Sequence, residues 1–265
     1  MHDNGRKTLT EENRAYWMKR ASGYSRIVGR ELSSPQKEKW KSCLFETIEG
    51  HFSYSAREPL RALDAGTGPG FFAVLLSELG YRVTGIDLTL EMLEKAKENA
   101  VMLSGTIDFA VMNAEALDFE DHSFDLVVSR NLTWNLPHPE SAYREWMRVL
   151  RPGGLLLNCD ANWYRYLFDD DARLSYERDR EITAAQGIED QNIGENFDVM
   201  EKIAGRIPLS SVMRPQWDLA FLSSLGMHVS ADLEIYKRVW SEEEKVNFRS
   251  TPMFLIRAVK PEDHS

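Results

Sequence analysis

The chain has 265 residues, of which 43% are hydrophobic and 28% are charged, and its formal net charge is −10. This length suffices for one sizeable α/β domain with an elaboration, or for two small domains. An acidic surface repels phosphate backbones, so the charge disfavours nucleic acid as a partner. No apolar run reaches the length of a membrane span, which disfavours a membrane partner as well.

The two cysteines, Cys43 and Cys159, lie far apart and form no C-x-x-C pair. This spacing disfavours a disulfide framework and a zinc site. The segment from Met1 to Thr10 is polar and lacks the apolar core of a signal peptide. Together these features predict a cytoplasmic protein, and they leave its oligomeric state open.

The first part of the chain, residues 1–51, is predicted to be a helical cap segment. Thr8 and Glu11 have the spacing of a capping box at a helix start. Apolar residues then recur at helical intervals and form one face, at Trp17, Ala21, Tyr24 and Val28. A second helix is predicted over residues 34–49.

Strands and helices alternate through the second part, residues 52–160. Strands are predicted at residues 60–64, 81–87, 106–112, 124–129 and 155–160. Helices are predicted between them, at residues 71–79, 90–102 and 140–150, with a turn over residues 151–154. The fourth strand carries the apolar run Leu126-Val127-Val128, which suits a strand buried on both faces. Such alternation predicts a parallel sheet with helices on both sides.

The alternation stops after residue 160. Residues 161–215 are predicted to form a mostly helical insert that covers the substrate. A helix is then expected over residues 217–225, followed by closing strands at 229–236 and 253–259 with a charged loop at 241–245. The segment 216–265 is therefore assigned to the core.

A glycine-rich loop with the sequence DAGTGPG occupies residues 64–70, between the first predicted strand and its helix. Glycines permit a tight turn and a close approach of a ligand to the backbone. The helix start beyond it presents free N–H groups. The dinucleotide pattern G-x-G-x-x-G needs its third glycine at Phe71, but the glycine falls one residue early, at Gly70. The loop therefore disfavours a nicotinamide dinucleotide, and a purely structural glycine turn is the alternative.

Asp87 ends the second predicted strand, about twenty residues after the loop. A carboxylate at this place can accept hydrogen bonds from the ribose hydroxyls of an adenosine ligand. The alternative is an ordinary aspartate at a turn or helix start. The spacing and the strand-end position favour the ribose role.

Five segments, in order, resemble the motifs of class I S-adenosylmethionine-dependent methyltransferases, within the group that acts on small molecules. They are LDAGTGPG at residues 63–70, Asp87, MNAEAL at 112–117, FDLV at 124–127 and RVLRPGG at 148–154. The helix that contains Tyr16 to Ser25 is similar to the N-terminal helix of that group. The resemblance covers residues 16–160. It implies a doubly wound, seven-stranded, mostly parallel sheet of the Rossmann-like methyltransferase type, with the last strand antiparallel and a helical cap.

The sequence departs from the family pattern at three places. Asn113 stands where the family often has aspartate, although an amide oxygen can still face an adenine amino group. Phe119-Glu120 replaces part of the usual L-P-F ending. The fourth strand ends in S-R-N-L at residues 129–132 rather than N-P-P-Y, which disfavours a nucleobase or glutamine substrate.

The resemblance implies that S-adenosyl-L-methionine is the cofactor, and it assigns the methionine end to the glycine loop. Gly66 and Gly68 leave room for the methionine portion, and Thr67 between them is also assigned to the cofactor. Asp64 orients the loop and meets the amino group, directly or through water. Arg20 and Tyr24 close over the carboxylate, unless they belong only to a packing helix with a surface arginine.

The resemblance assigns the adenosine end to the next two strand ends. Asp87 holds the ribose and Leu88 packs on the adenine. Asn113 and the N–H of Ala114 read the adenine edge. Asn131, at the end of the fourth strand, lies beside the methyl donor.

His138 follows the fourth strand, between two prolines, where the substrate meets the methyl group in the resembled family. We therefore take His138 as a candidate general base, with Asn131 and Trp134 as neighbours that orient the acceptor. A structural role in the turn is the alternative. No His, Asp and Glu set has metal-ligand spacing, so no metal is expected.

Aromatic residues are frequent in the insert and just after it. The candidates to line a substrate pocket are Trp163, Tyr164, Tyr166, Phe168 and Trp217. A hydrophobic core for the cap is the alternative interpretation. The run Asp169-Asp170-Asp171 is predicted to be a solvated turn.

The predicted function is methyl transfer from S-adenosyl-L-methionine to a small molecule, at an O, N, S or C atom that the sequence leaves open. One alternative is a nicotinamide-dependent oxidoreductase, which the glycine spacing disfavours. Another is a non-catalytic binding or regulatory protein that keeps the cofactor fold.

Overall fold

The computed structural model describes residues 7–52, 58–101, 107–190 and 197–262. The strands are β1 (Arg61–Ala65), β2 (Arg82–Asp87), β3 (Ile107–Val111), β4 (Phe124–Arg130), β5 (Leu150–Asp160), β6 (His228–Asp232) and β7 (Phe254–Val259). The helices are α1 (Leu9–Leu32), α2 (Gln36–Glu49), α3 (Phe71–Glu78), α4 (Leu90–Ala100), α5 (Pro139–Val149), α6 (Asp170–Ala185), α7 (Phe197–Ala204), α8 (Gln216–Ser224), α9 (Ile235–Val239) and α10 (Glu242–Asn247).

The strands form one seven-stranded sheet in the order β3-β2-β1-β4-β5-β7-β6. Strands β1 to β5 are parallel, whereas β7 runs antiparallel to both β5 and β6. The predicted fold, with an antiparallel last strand, is therefore confirmed. The strand order reverses between β1 and β4, and ligands bind at such a switch point in open α/β sheets, outside the carboxyl ends of the strands.

A hydrophobic core lies on each face of the sheet, because side chains of a strand alternate between its faces. In β4, Leu126 and Val128 pack with α2 and α3, and Val127 packs with α5 on the opposite face. The apolar run of this strand is buried on both faces, as the sequence predicts.

Helix α1 begins with the predicted capping box, in which Thr8 accepts from the N–H of Glu11 and the Glu11 carboxylate accepts from Thr8. Two contacts fix α1 to the rest of the chain. Near its start, Asn13 Nδ2 donates to the carbonyl oxygen of Asn135 at 2.8 Å. At its end, the Glu31 carboxylate accepts hydrogen bonds from both terminal nitrogens of Arg130, at 2.5 and 3.1 Å.

Three predicted boundaries are wrong. The expected turn at 151–154 belongs to β5, because Gly153 takes a left-handed conformation (φ 71°) and this segment pairs with Lys260. The strand expected over 229–236 ends at Asp232, since the chain then enters α9. The loop expected at 241–245 is the start of α10, where Ser241 and Glu244 form a second capping box.

The described part of the insert contains α6 and α7, as the helical prediction requires. Asp169, expected in a solvated turn, instead caps α6 by accepting from the N–H of Ala172 at 2.9 Å. The predicted end of one helix at Met102 and the predicted strand start at Thr106 lie outside the described residues, as do residues 1–6. The division into four segments stays a prediction. None of the described helices has the length and apolar character needed to cross a bilayer.

Candidate functional site

A cavity of about 260 Å³ lies at the carboxyl ends of the parallel strands, on the side where α1 and the insert meet the sheet. Its floor consists of the segments that follow β1, β2, β3 and β4. Most of the predicted cofactor residues line it: Tyr24, Asp64, Gly66, Thr67, Gly68, Asp87, Leu88, Asn113, Ala114 and Asn131. The structure therefore brings together side chains that the sequence separates by more than a hundred residues.

The glycine loop is built for a close approach of a ligand to the backbone. Gly66 and Gly68 have φ angles of 69° and 50°, a region that side-chain-bearing residues rarely adopt. A Cβ atom on Gly66 would lie 2.7 Å from the side chain of Leu132. One on Gly68 would lie 3.6 Å from the ring of Tyr24, so this ring covers the loop. The N–H of Thr67 donates to the carbonyl oxygen of Ile86 at 2.8 Å and ties the loop to β2.

Asp64 is buried at the end of β1 and stabilises the loop from below. Its Oδ2 atom accepts from the Thr67 hydroxyl at 2.7 Å and from the N–H of Ala73 at 2.9 Å. Burial raises the pKa of Asp64 to about 7, although these two hydrogen bonds act in the opposite direction. A cationic group placed beside Asp64 would favour its ionised form.

Asp87 lies at the end of β2, and its two carboxylate oxygens accept hydrogen bonds from two different segments. Oδ2 accepts from the N–H of Gly68 at 3.1 Å, and Oδ1 accepts from the N–H and the hydroxyl of Thr89, both at 2.9 Å. Burial raises the pKa of Asp87, and these bonds lower it. An ionised carboxylate has about four lone-pair sites, so Asp87 can still accept bonds from a ligand.

The turn after β3 forms the next part of the wall. Asn113 Oδ1 accepts from the N–H of Glu115 at 3.0 Å, and the Ala114 carbonyl accepts from Trp146 Nε1 at 3.1 Å. The Asn113 oxygen is therefore shared between this turn and any ligand, which the sequence does not reveal. Leu88 lies on the same side of the cavity.

Asn131 has an unusual conformation at the end of β4. Its φ angle is 56°, although it is not a glycine, and its N–H donates to the carbonyl of Cys159 at 2.8 Å. Its own carbonyl accepts from Trp134 Nε1 at 3.0 Å. A backbone of this kind costs about 1–3 kcal/mol and persists where the surroundings enforce it, which points to function. No described residue donates to Asn131 Oδ1.

Two predicted site residues do not line the cavity. Arg20 lies near Tyr16 and Tyr164, one turn before Tyr24 on α1. His138 is exposed at the start of α5, where its N–H donates to Glu115 Oε1 at 2.6 Å. Pro137 lines the cavity and Pro139 begins α5, whereas His138 between them is not among the lining residues. The geometry supports the structural role of His138, and its role as a base stays a prediction.

The aromatic residues of the insert separate into two groups. Trp163, Tyr164 and Tyr166 line the cavity. Phe168 is exposed, and Trp217 packs parallel to Phe221 at 5.4 Å against α5 and α8. The pocket interpretation therefore fails for these last two. Aromatic residues from elsewhere in the chain also line the cavity, namely Trp17, Tyr24, Phe71, Phe72, Trp134 and Phe248.

A fully buried charge network beneath the cavity has no signal in the sequence. Arg214 donates to Asp160 Oδ2 at 2.6 Å and to both oxygens of Asp218, at 2.8 and 2.9 Å. Asp160 ends β5 and also accepts from the Trp134 N–H at 2.8 Å and from Trp163 Nε1 at 3.1 Å. It therefore fixes two aromatic walls of the cavity. Residues 160 and 214 are 54 positions apart, so their pairing depends on the fold.

A second ion pair fixes α1 over the cavity. Arg130 directly precedes Asn131, and its guanidinium forms an ion pair with Glu31. The guanidinium lies 4.4 Å from the ring centre of Phe71 and 4.9 Å from the ring centre of Trp40. A cation on an aromatic face is stabilised electrostatically. This arrangement connects the end of α1, the end of β4 and the start of α3.

Residues 63–158 match the family model described as a methyltransferase domain. The chain is 34% identical to the ubiquinone/menaquinone biosynthesis C-methyltransferase UbiE of Rhodopseudomonas palustris over 131 aligned residues. The aligned residues cover 48% of this chain and 51% of that protein. The chain thus spans about half the length of the curated relatives it matches.

Solved structures agree with the fold. A SAM-dependent methyltransferase from Aquifex aeolicus superposes with a TM-score of 0.54 at 17% identity, over 89% of this chain and 97% of that one. Phosphoethanolamine N-methyltransferase 2 from Haemonchus contortus, in complex with S-adenosyl-L-methionine, superposes with a TM-score of 0.53 at 19% identity. The superposition covers 81% of this chain and 51% of that one. At these identities the likeness concerns the fold.

Proposed function

Because the chain carries a class I S-adenosylmethionine-dependent methyltransferase domain, we propose that it transfers the methyl group of S-adenosyl-L-methionine to a small molecule. One observation carries this proposal. A single cavity joins the glycine loop, Asp87 and Asn113 to a group of aromatic side chains beyond the end of β4. A donor and an acceptor can therefore share it, with Asn131 between them.

The residues present fit the cofactor. Gly66 and Gly68 leave the backbone open where a side chain would fill the space. Asp87 accepts three bonds within the protein and keeps acceptor capacity for one more, from a ribose hydroxyl, and Asn113 with Ala114 would face the adenine. Asp64 would be ionised by the cofactor ammonium group. The sulfonium of the bound cofactor supplies an electrophilic methyl group, and no protein group has to activate it.

The contribution of the chain is position and exclusion of water. Transfer needs the acceptor atom in line with the methyl carbon, at about 3–3.5 Å before reaction. The strained backbone of Asn131 holds its side chain at the end of β4, and the aromatic side chains beyond it would exclude water once a substrate is bound. Among the described lining residues there is no histidine. This favours an acceptor that reacts without a strong general base.

The acceptor atom stays open in this proposal. The relatives include a C-methyltransferase and, at the level of fold, an N-methyltransferase. A cytoplasmic location likewise stays a prediction from the sequence. The nicotinamide alternative has no observation in its favour, because the third glycine of its loop pattern is missing.

Calorimetry of the purified chain with S-adenosylmethionine, S-adenosylhomocysteine and NAD tests the cofactor. We expect the first two to bind and NAD not to bind. Release of S-adenosylhomocysteine in the presence of fractionated metabolite extracts then tests catalysis. Binding without any release, across all fractions, would support the non-catalytic alternative instead.

A further inference from the structure

Beyond the cofactor residues, the cavity is lined by flat side chains from four regions of the chain. We call this part the acceptor chamber, and its walls are Trp17, Trp134, Trp163, Tyr164, Tyr166 and Phe248. Trp134 and Tyr164 are stacked at 5.0 Å between ring centres, and Trp163 meets Phe248 edge to face at 5.2 Å. The walls of the chamber are therefore aromatic and close together.

The polar edges of three of these walls, Trp134, Trp163 and Tyr166, are already bonded within the protein. Trp134 Nε1 donates to the Asn131 carbonyl at 3.0 Å, and Trp163 Nε1 donates to Asp160 at 3.1 Å. The Tyr166 hydroxyl donates to Glu201 at 2.8 Å. The walls thus offer a ligand their ring faces rather than their donors. Ring faces favour another aromatic ring, by stacked or edge-to-face contact.

Two asparagine side chains add a specific polar requirement. Asn13 and Asn135 both line the cavity and are only 6% and 4% exposed. Asn13 Nδ2 donates to the backbone of Asn135, which fixes the orientation of that amide. The Oδ1 atoms of both residues accept no hydrogen bond from the described part of the chain. A buried acceptor without a partner is costly, so a ligand that donates a hydrogen bond would relieve it.

The charges around the chamber disfavour a cationic ligand. The carboxylates among the described lining residues are Asp64, Asp87 and Glu115, and all three lie on the segments that face the cofactor. Of the lining arginines, Arg130 is paired with Glu31, and Arg14 has no carboxylate partner among the residues described. Among the described residues, no acidic group in the chamber would balance an ammonium ion.

We propose that the acceptor chamber takes a flat aromatic compound that carries an uncharged hydroxyl or N–H donor, which Asn13 and Asn135 accept. This names the substrate class of the site and rests on the proposed function. The aromatic walls set the plane of the ring. The two amide oxygens set its rotation within that plane, and so decide which ring atom or substituent meets the methyl group.

The test uses 2-naphthol and 2-fluoronaphthalene, which have nearly the same shape but differ in the donor. Binding of each is measured by calorimetry at saturating S-adenosylhomocysteine. We expect 2-naphthol to bind about tenfold more tightly, the order expected for one hydrogen bond to a buried acceptor. We expect 2-(aminomethyl)naphthalene, the cationic probe, to bind more weakly than 2-naphthol.

Asn135→Leu should remove the preference for 2-naphthol. The matched control is Gln186→Leu, another amide-to-leucine change, at an exposed position at the end of α6 and outside the cavity lining. The control should keep the preference. The ratio of the two affinities is the readout, because a general loosening of the chamber would weaken both probes together.

If 2-naphthol and 2-fluoronaphthalene bind the wild-type protein with equal affinity, this result alone overturns the proposal. Tighter binding of the cationic probe would overturn it too, as would a preference that Asn135→Leu leaves intact. The titration with S-adenosylhomocysteine alone is judged separately. Its failure would remove the proposed function, whereas its success without a naphthol preference would remove only the substrate class.

Discussion

The backbone N–H of Gly68 donates a hydrogen bond to Asp87 Oδ2 at 3.1 Å. This bond joins the glycine loop after β1 to the carboxylate that ends β2. Asp87 is therefore more than a candidate ribose ligand, since it also fixes the loop on which the rest of the cofactor would lie. The loop and the acid act as one unit.

Replacing Asp87 should weaken cofactor binding in two ways. Asp87→Ala removes the expected ribose acceptor and releases the N–H of Gly68, so we expect a loss of about 2–4 kcal/mol in S-adenosylmethionine binding, since bonds to a charged acceptor are worth about 1.5–3 kcal/mol each and do not add. Calorimetry measures it. Asp108→Ala, an exposed position on the neighbouring strand β3, is the control and should bind normally. An unchanged dissociation constant in folded Asp87→Ala would remove Asp87 from the site.

Asp64 gives a prediction for stability against pH. Its folded pKa of about 7 lies above the ordinary 3.8, so the folded chain binds a proton that the unfolded chain releases. The contribution of Asp64 to stability is therefore complete below about pH 4 and is lost as the pH rises through 7. Without cofactor, Asp64→Asn should remove this decline, as followed by urea unfolding between pH 5 and 8. A slope identical in both proteins would contradict the assignment.

Cofactor binding should depend on pH in the opposite direction. An ammonium group beside Asp64 favours the carboxylate, so binding at pH 6 must release the proton of Asp64. We expect S-adenosylhomocysteine affinity to rise between pH 6 and 7.5. Calorimetry in two buffers of different ionisation enthalpy counts the protons released. Asp64→Asn should bind more weakly and release none.

Two glycines with positive φ angles allow a matched comparison of the loop. At Gly66 a methyl group would meet Leu132 at 2.7 Å, whereas at Gly80 (φ 90°) nothing lies within 4 Å. Both alanine variants carry backbone strain of about 1–2 kcal/mol. Only Gly66→Ala should also lose cofactor affinity. Equal cofactor affinities in the two variants would show that the loop tolerates a side chain there.

The buried pair of Arg214 and Asp160 should dominate the stability of the cap. Arg214→Met leaves the carboxylates of Asp160 and Asp218 buried without a cationic partner, which costs about 3–5 kcal/mol in comparable cases. Arg206→Met breaks an ion pair with Glu12 that is partly exposed, and should cost about 1 kcal/mol or less. Denaturant unfolding of both variants checks the difference. Similar losses in the two would mean that the buried network contributes no more than a surface pair.

The position of His138 predicts that replacing it has little effect on turnover. Because its side chain is exposed and outside the cavity lining, His138→Ala should leave turnover within about twofold, far from the 10²–10⁴-fold of a lost general base. The measurement is turnover against pH for both proteins, once an acceptor is in hand. A fall of a hundredfold, with loss of one limb of the pH–rate profile, would restore the general-base hypothesis.

The sequence by itself determined the local features of this protein. Alternating apolar strands and helices gave the sheet, and the run Leu126-Val127-Val128 identified a strand buried on both faces. Thr8 and Glu11 located the start of α1, because a capping box is a contact between residues three apart. The glycine loop and Asp87 were recognisable for a similar reason, since a strand-loop-helix unit fixes their relative places within about twenty residues.

Short segments were predicted less well where a local signal had two solutions. The charged run at 241–245 suited a loop, yet Ser241 and Glu244 cap a helix there. The glycines at 153 and 154 suited a turn, yet the pairing with Lys260 extends β5 through them. The pairing with Lys260 is a distant contact that decided between conformations the sequence alone leaves close in energy, whereas the capping box of α10 is a local signal that the run of charges concealed.

Only the tertiary structure decided the acceptor side of the cavity. Trp17, Trp134 and Phe248 come from separate regions, and they meet because α1 and the insert pack against the same end of the sheet. The partner of Arg214 is set in the same way, since a buried charge is stable only where the fold supplies carboxylates within bonding distance. Local patterns record contacts between near neighbours along the chain. The exposure of His138 outside the cavity lining, and the burial of the Asn13 and Asn135 amide oxygens at it, depend on how distant segments pack together.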